Sequence, residues 1–250
     1  MSASDSAGVP WEGRSFEHGE SSNDDGSAPP KLLEALKRFR TRELGEAEVV
    51  DEVRVSRLLI PLVAHAGDVG TAPSGHLVDK TQELSIITVA GPDGRSVLPA
   101  FTSVESMARW NPTARPIPAD GIRVALAAAS EGTDLVVLDA TSDTEFAIRR
   151  PALWAIAQGA PWQPSYLDEQ VLAEFMAAAD GEDAIVAIQL APGDADARLA
   201  GPELLVQLSL VEGLNEIDLA ELLGREQEQW SASEIIAQRV DSMTVKLARA

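Results

Sequence analysis

The sequence predicts an α+β fold: two small domains, each with helices packed on a mostly antiparallel mixed sheet, preceded by a disordered acidic tail. Three observations carry that expectation. The chain has 250 residues with 45% hydrophobic content, enough for two buried cores. A strong hairpin signal, Gly91-Pro92-Asp93-Gly94, sits between two apolar runs of strand length. Charge shifts sharply across Trp162-Gln163-Pro164-Ser165: Tyr166 to Ala250 holds 5 basic and 17 acidic residues, so most of the net charge of −20 lies there. The expected division is therefore a tail over 1–28, one domain over 29–165 and an acidic one over 166–250.

Met1 to Ala28 is rich in Ser, Gly, Asp and Glu and has no apolar periodicity, which predicts disorder. Pro29 and Pro30 open a helix whose Leu32, Leu33, Leu36 and Phe39 share a face. Lys37, Arg38, Arg40 and Arg42 gather near its C-terminal end and read as a solvated face that complements the helix dipole. Val49, Val50 and Val53 predict a second short helix. Arg57 to Ala64 reads as a buried strand, which Pro61 would place at a sheet edge or a bulge. Leu84 to Ala90 and Arg95 to Phe101 form the hairpin strands. Thr102 and Glu105 have the spacing of a capping box, so a helix should run over about Ser103 to Trp110 and end at Asn111-Pro112, before an Arg115-Pro116 turn. Asp120 caps the next helix, Asp134 to Asp139 is a strand, Glu145 to Ile148 pairs with it, and Pro151 opens a helix ending near Gly159.

Beyond the linker, Asp168 to Ala179 reads as a helix and Ile185 to Ala191 and Leu204 to Leu210 as strands. Asn215 caps a helix over Glu216 to Leu223, with Leu214 and Leu219 as a hydrophobic staple. Ser231 and Glu234 make a second capping box. Met243 to Leu247 alternates as a last strand.

Composition excludes whole classes of function. With 20 basic and 40 acidic residues the chain would repel nucleic acid and anionic membrane surfaces. The absence of cysteine removes disulfides, Cys-ligated zinc, iron–sulfur clusters and thiol catalysis. No apolar run is long enough to span a bilayer, and the N-terminus has no signal-peptide core, so a cytoplasmic protein is expected.

Candidate chemistry is sparse. His65, Asp68, His76 and Asp79 are of metal-ligating type, but they lie in a Gly- and Pro-rich stretch that matches no zinc motif. No Gly-x-Ser-x-Gly elbow or phosphate-binding glycine loop is present. Asp139 follows a strand and reads as a turn-forming residue. The more promising set is Thr102, Ser103, Trp110 and Arg115: a helix N-terminus offers free N–H groups to an anion, Arg115 could add a bidentate contact and Trp110 a stacking face.

Several fragments carry a family resemblance. Asp79-Lys80, Gly91-Pro92-Asp93-Gly94-Arg95, Leu98-Pro99-Ala100-Phe101-Thr102-Ser103, Arg109-Trp110 and Ala114-Arg115-Pro116 resemble the N-terminal domain of SseB-family proteins in their actinobacterial form. Ala191-Pro192-Gly193-Asp194 and Val240-Asp241-Ser242-Met243-Thr244-Val245-Lys246-Leu247 resemble the C-terminal SseB-type domain. The resemblance implies an α+β fold and no established activity, so it supplies no catalytic residue.

The functional expectation is a non-catalytic protein-interaction or regulatory protein with no cofactor, whose acidic surface meets a basic protein partner. The alternatives are a sensor of an anion or amino acid near Thr102, Ser103 and Arg115, and a metal-dependent hydrolase at His65 and His76. The sequence carries no signal for oligomeric state.

Overall fold

The computed structural model describes residues 24–65 and 83–249, and its fold is α+β with two large apolar cores and two smaller clusters. The first core forms where α1 (Pro30–Arg40), α2 (Glu46–Val55), α4 (Gly121–Ser130) and α5 (Arg150–Gln158) cover one side of two sheets. One sheet has the order β2-β1-β5, from β1 (Arg57–His65), β2 (Glu83–Ile86) and β5 (Arg115–Asp120). The other has the order β3-β4-β6-β7, from β3 (Val89–Ala90), β4 (Ser96–Ala100), β6 (Val136–Leu138) and β7 (Phe146–Ile148). A bridge between Leu59 and Phe101 joins the two. The short helix α3 (Val104–Trp110) follows β4.

Helix periodicity accounts for the packing. Leu32, Ala35, Leu36 and Phe39 recur on one face of α1, and all are buried. Phe39 meets Phe146 edge-to-face at 5.0 Å, which ties α1 to β7. Gly121 lets α4 approach α2 closely, because a Cβ there would meet the Val53 carbonyl at 2.2 Å. Gly159 ends α5 in the left-handed conformation that favours glycine.

The second core lies between a sheet of order β10-β9-β8 and three helices. Its elements are α6 (Glu169–Ala178), β8 (Ile185–Pro192), β9 (Leu204–Leu210), α7 (Glu216–Ala232), α8 (Glu234–Arg239) and β10 (Met243–Arg249). Along β9, Leu204, Val206, Leu208 and Leu210 face the helices and are buried. Strand β10 runs parallel to β9, and β4 parallel to β6; the other pairings are antiparallel.

Five local expectations need correction. The expected hairpin strand Leu84 to Ala90 divides: β2 pairs with β1, and only Val89–Ala90 pairs with β4. Pro61 lies in β1, the central strand of its sheet, rather than at an edge. It faces Pro116 across the β1–β5 pair. Leu59 donates to Phe101 on the side away from β5, and Pro61, two residues on, turns its nitrogen the same way, so the ladder to β5 loses no bond. For the same reason Arg115-Pro116 opens a strand, β5, instead of a turn. Ser103, not Thr102, caps α3: its oxygen accepts from Ser106 N at 3.1 Å. Finally, α7 runs on to Ala232, so Ser231 lies inside it and Ser233 caps α8. The expected tail lies outside the described residues up to position 23. Asp68, His76 and Asp79 lie outside them too, and of His65 only the strand backbone is described.

Candidate interaction surface and its buried clamp

The segment singled out from sequence does not converge on one site. Thr102 is buried, and both its N–H and its hydroxyl donate to Asp139, at 2.8 and 2.7 Å. The Thr144 hydroxyl donates to the same carboxylate at 3.0 Å. Asp139 thereby ties the end of β4 to the β6–β7 turn, with its own backbone at φ 45°. Trp110 stacks at a tilt on Phe101, 5.2 Å between ring centres, beside Leu59 and Met107. Thr102 and Ser103 line an open cleft of about 670 Å³ together with Lys37 and Arg109. Trp110 lines a different groove, and the exposed Arg115 lines neither.

A denser constellation forms where the two cores meet, around Arg149. This residue stands at the N-terminus of α5 and is 6% exposed. Its guanidinium donates to Asp194 at 2.6 Å, the Gly201 carbonyl at 2.8 Å, Asp241 at 3.1 Å and the Ser242 hydroxyl at 3.3 Å. Arg95, at the end of the hairpin turn, reaches the Asp241 carboxylate at 3.0 Å. Burial alone would push the Asp241 carboxyl up, but the Arg95 and Arg149 guanidiniums outweigh it and hold it below the usual range.

Asp194 also organises the loop after β8. Its carboxylate accepts from the backbone N–H of Arg198 and Leu199, at 3.3 and 2.8 Å. These bonds fix a loop in which Ala197 and Leu199 both hold positive φ, 47° and 57°, conformations that residues with a side chain rarely adopt. Gly193 is required at its start, since a Cβ there would lie 2.3 Å from the Pro202 carbonyl. The loop then docks on the other core, where Ala147 N donates to the Ala197 carbonyl at 2.7 Å.

More arginines of the N-terminal half cross the same junction. Arg40 donates to the Asp143 carbonyl at 3.2 Å and approaches Asp196, and Arg42 pairs with Asp196 at 2.7 Å. Arg150 donates to the carbonyls of Ala237 and Val240 at 2.9 and 2.8 Å. Of the cations at and just after the end of α1 that read as a solvated face, Arg38 pairs with nearby Glu43, and Arg40 and Arg42 meet the distant Asp196.

Two further carboxyls lie at this junction. Glu203 accepts from the Ser165 hydroxyl at 2.7 Å and from Asp241 N at 2.6 Å, yet burial still pushes its carboxyl up. Glu46, at the start of α2, accepts from the Tyr166 hydroxyl at 3.3 Å. Burial, and then the charge of Glu203, raise it to about 7.

The outer surface differs from this interior. Glu212, Glu216, Asp218, Glu221 and Glu228 are exposed in and just before α7. The one cation on that helix, Arg225, is taken by Glu182 at 2.7 Å. Near the junction, an open groove of about 550 Å³ is lined by Trp154, Trp162, Pro151 and Pro161. Arg150 sits over the Trp154 ring at 5.1 Å. Among the described residues no group of His, Asp and Glu is placed to hold a metal ion, and no helix is long and apolar enough to cross a membrane.

Sequence reasoning missed Arg149 because nothing in Arg149-Arg150-Pro151 separates one arginine from the other. The signal that could have found it was the scatter of quoted fragments. Gly91 to Arg95, Ala191 to Asp194 and Asp241-Ser242 are remote in the chain, yet each supplies a partner to one junction. Residues 32–155 match the family model of the SseB protein N-terminal domain, which spans α1 through most of α5 and includes Arg149. No curated protein and no solved structure matches the chain.

Proposed function

The chain belongs to the SseB family through residues 32–155, and from that premise we propose that it is a non-catalytic, cytoplasmic protein-interaction or regulatory protein that presents an acidic surface to a basic protein partner. In this reading residues 29–165 and 166–250 are its two domains, the second of C-terminal SseB type. The observation that carries it is the exposed acidic row Glu212, Glu216, Asp218, Glu221 and Glu228, whose neighbouring cation Arg225 is already paired. Unneutralised charge on one helix steers an oppositely charged surface over distances of about a Debye length, roughly 10 Å at 0.1 M salt.

Affinity purification of the full chain at low and high salt, with the triple variant Glu212→Gln, Glu221→Gln and Glu228→Gln, tests the reading. The expected result is a basic protein recovered at low salt and lost both at high salt and with the variant. Recovery of no partner at low salt, or of one indifferent to the substitutions, overturns it. A competing sensor reading draws on the cleft that joins Thr102 and Ser103 to Lys37 and Arg109. It predicts a thermal shift with inorganic phosphate or amino acids, since a true ligand stabilises by mass action.

A further inference from the structure

Strand β10 is an edge whose protection is limited to the charges of Lys246 and Arg249. It runs for 7 residues, Met243–Arg249, and contains no proline or glycine and no register shift against β9. The opposite edge, β8, has an irregular register between Ile185 and Ala187 and ends in Pro192. Bulges and prolines blunt an edge by breaking its hydrogen-bonding row, and here they are confined to β8, while β10 has only charges.

The hydrogen-bond register says which groups of β10 stay open. Leu204 N donates to the Ser242 carbonyl while Leu204 pairs with Met243, so in this parallel ladder the even-numbered residues bond to β9. The N–H and C=O groups of Met243, Val245, Leu247 and Arg249 point to the outer side, where no described strand pairs with them. Val245 and Leu247 share the helix-covered face with Val206 and Leu208, which are fully buried, yet they remain 36% and 41% exposed. On the opposite face lies Lys246, beside Gln207.

Charge narrows the occupant. Of the five basic residues from Tyr166 onward, Arg225 and Arg239 pair with Glu182 and Asp168, and Arg198 donates to the Ser142 carbonyl. Lys246 and Arg249 have no ion pair among the described residues. The open edge is thus a cationic, half-apolar strip on the most acidic part of the chain.

We propose that β10 accepts an extended segment of a partner protein as a fourth strand, and that this segment alternates apolar side chains with acidic ones. The apolar side chains would complete the face around Val245 and Leu247, and an acid would meet Lys246. A second copy of β10 is a poorer occupant, because self-pairing sets the cationic edge of Lys246 and Arg249 against its own like charges. This surface lies apart from the α7 row and goes beyond the reading given above.

The test uses the full-length chain carrying Glu212→Gln, Glu221→Gln and Glu228→Gln, which takes the α7 row out of the reading, and two labelled synthetic peptides, one alternating Val and Glu, the other alternating Val and Lys, in fluorescence anisotropy at physiological salt, where long-range attraction to the acidic surface is screened. The Val/Glu peptide should bind and the Val/Lys peptide should not, and Lys246→Glu should reverse the preference. Val245→Pro deletes one outward N–H while leaving the ladder to β9 intact, so affinity should fall about tenfold or more. Methylating alternate backbone nitrogens of the peptide should do the same with the protein unchanged, which covers a Val245→Pro chain that fails to fold. Equal binding of both peptides, no binding of the Val/Glu peptide, or indifference to the methylation overturns the proposal. A dimer in sedimentation that Val245→Pro dissociates would overturn it in favour of self-pairing.

Discussion

The junction around Arg149 and the underside of α7 both bury carboxylates, and they treat them in opposite ways. At the junction, Asp194 and Asp241 each meet a guanidinium and accept a further hydrogen bond. Under α7, Glu226 is 0% exposed, flanked by Leu222 and Trp230, and among the described residues neither its carboxylate oxygens nor the Trp230 indole N–H has a hydrogen-bond partner within range. Burial, and then the charge of Glu182, push its carboxyl up. The contrast teaches that a buried acid is neither stabilising nor destabilising by itself; the donors around it decide the sign.

The largest expected effect breaks the satisfied side. Arg149→Met leaves Asp194 and Asp241 short of their main donor and should destabilise the protein by about 3–5 kcal/mol. Chemical denaturation reads this directly, and a change within about 0.5 kcal/mol of the parent would mean that the clamp is dispensable. The opposite sign is expected under α7. Glu226→Leu removes an unpaired buried carboxyl and should stabilise by about 1–3 kcal/mol. A lowered Tm would show that the Trp230 indole N–H donates to Glu226 and that the pair stabilises the fold.

A smaller effect depends on pH. In the folded chain Glu46 keeps its proton up to about pH 7, whereas an ordinary glutamate in the unfolded chain releases it near 4.5. Between those values the folded form binds more protons, so this contribution to stability declines as pH rises through the window and is constant outside it. Glu203 and Glu226 shift in the same direction, so Glu46→Gln should flatten the decline only in part. A denaturation midpoint profile between pH 4 and 8 that is identical in Glu46→Gln and parent would remove Glu46 from the account. The smallest effect separates two neighbours: Ser103→Ala loses one helix cap and should weaken the fold by only about 1 kcal/mol in thermal unfolding. A larger loss would give Ser103 a structural weight comparable to its buried neighbour Thr102.

Much of the fold was legible because it rests on local signals. The caps at Asp120 and Asn215 and the hairpin turn at Gly91 to Gly94 stand where spacing placed them. Failures came where tertiary context overrides a local rule. Pro61 and Pro116 are harmless inside a sheet because they face one another in a pair that needs no N–H from either. The site was far less legible. Thr102 looked like a cap and is instead a donor to Asp139, a residue 37 positions later. Arg40 and Arg42 looked solvated because their partner, Asp196, lies more than 150 positions away. No periodicity or spacing encodes a contact of that range; only the folded chain brings it together.

One contact also bears on how this chain can be cut and recombined. Arg149 stands just before α5, inside the stretch matched by the family model, while both of its aspartates lie beyond Ser165. A fragment that stops at Ser165 would retain an arginine shaped for two anions and meet only solvent. A chimera carrying a foreign C-terminal segment would need carboxylates at the positions of Asp194 and Asp241 before the graft could seat. The natural unit of exchange is therefore the whole pair of halves, even though a sequence signature can be drawn around the first alone.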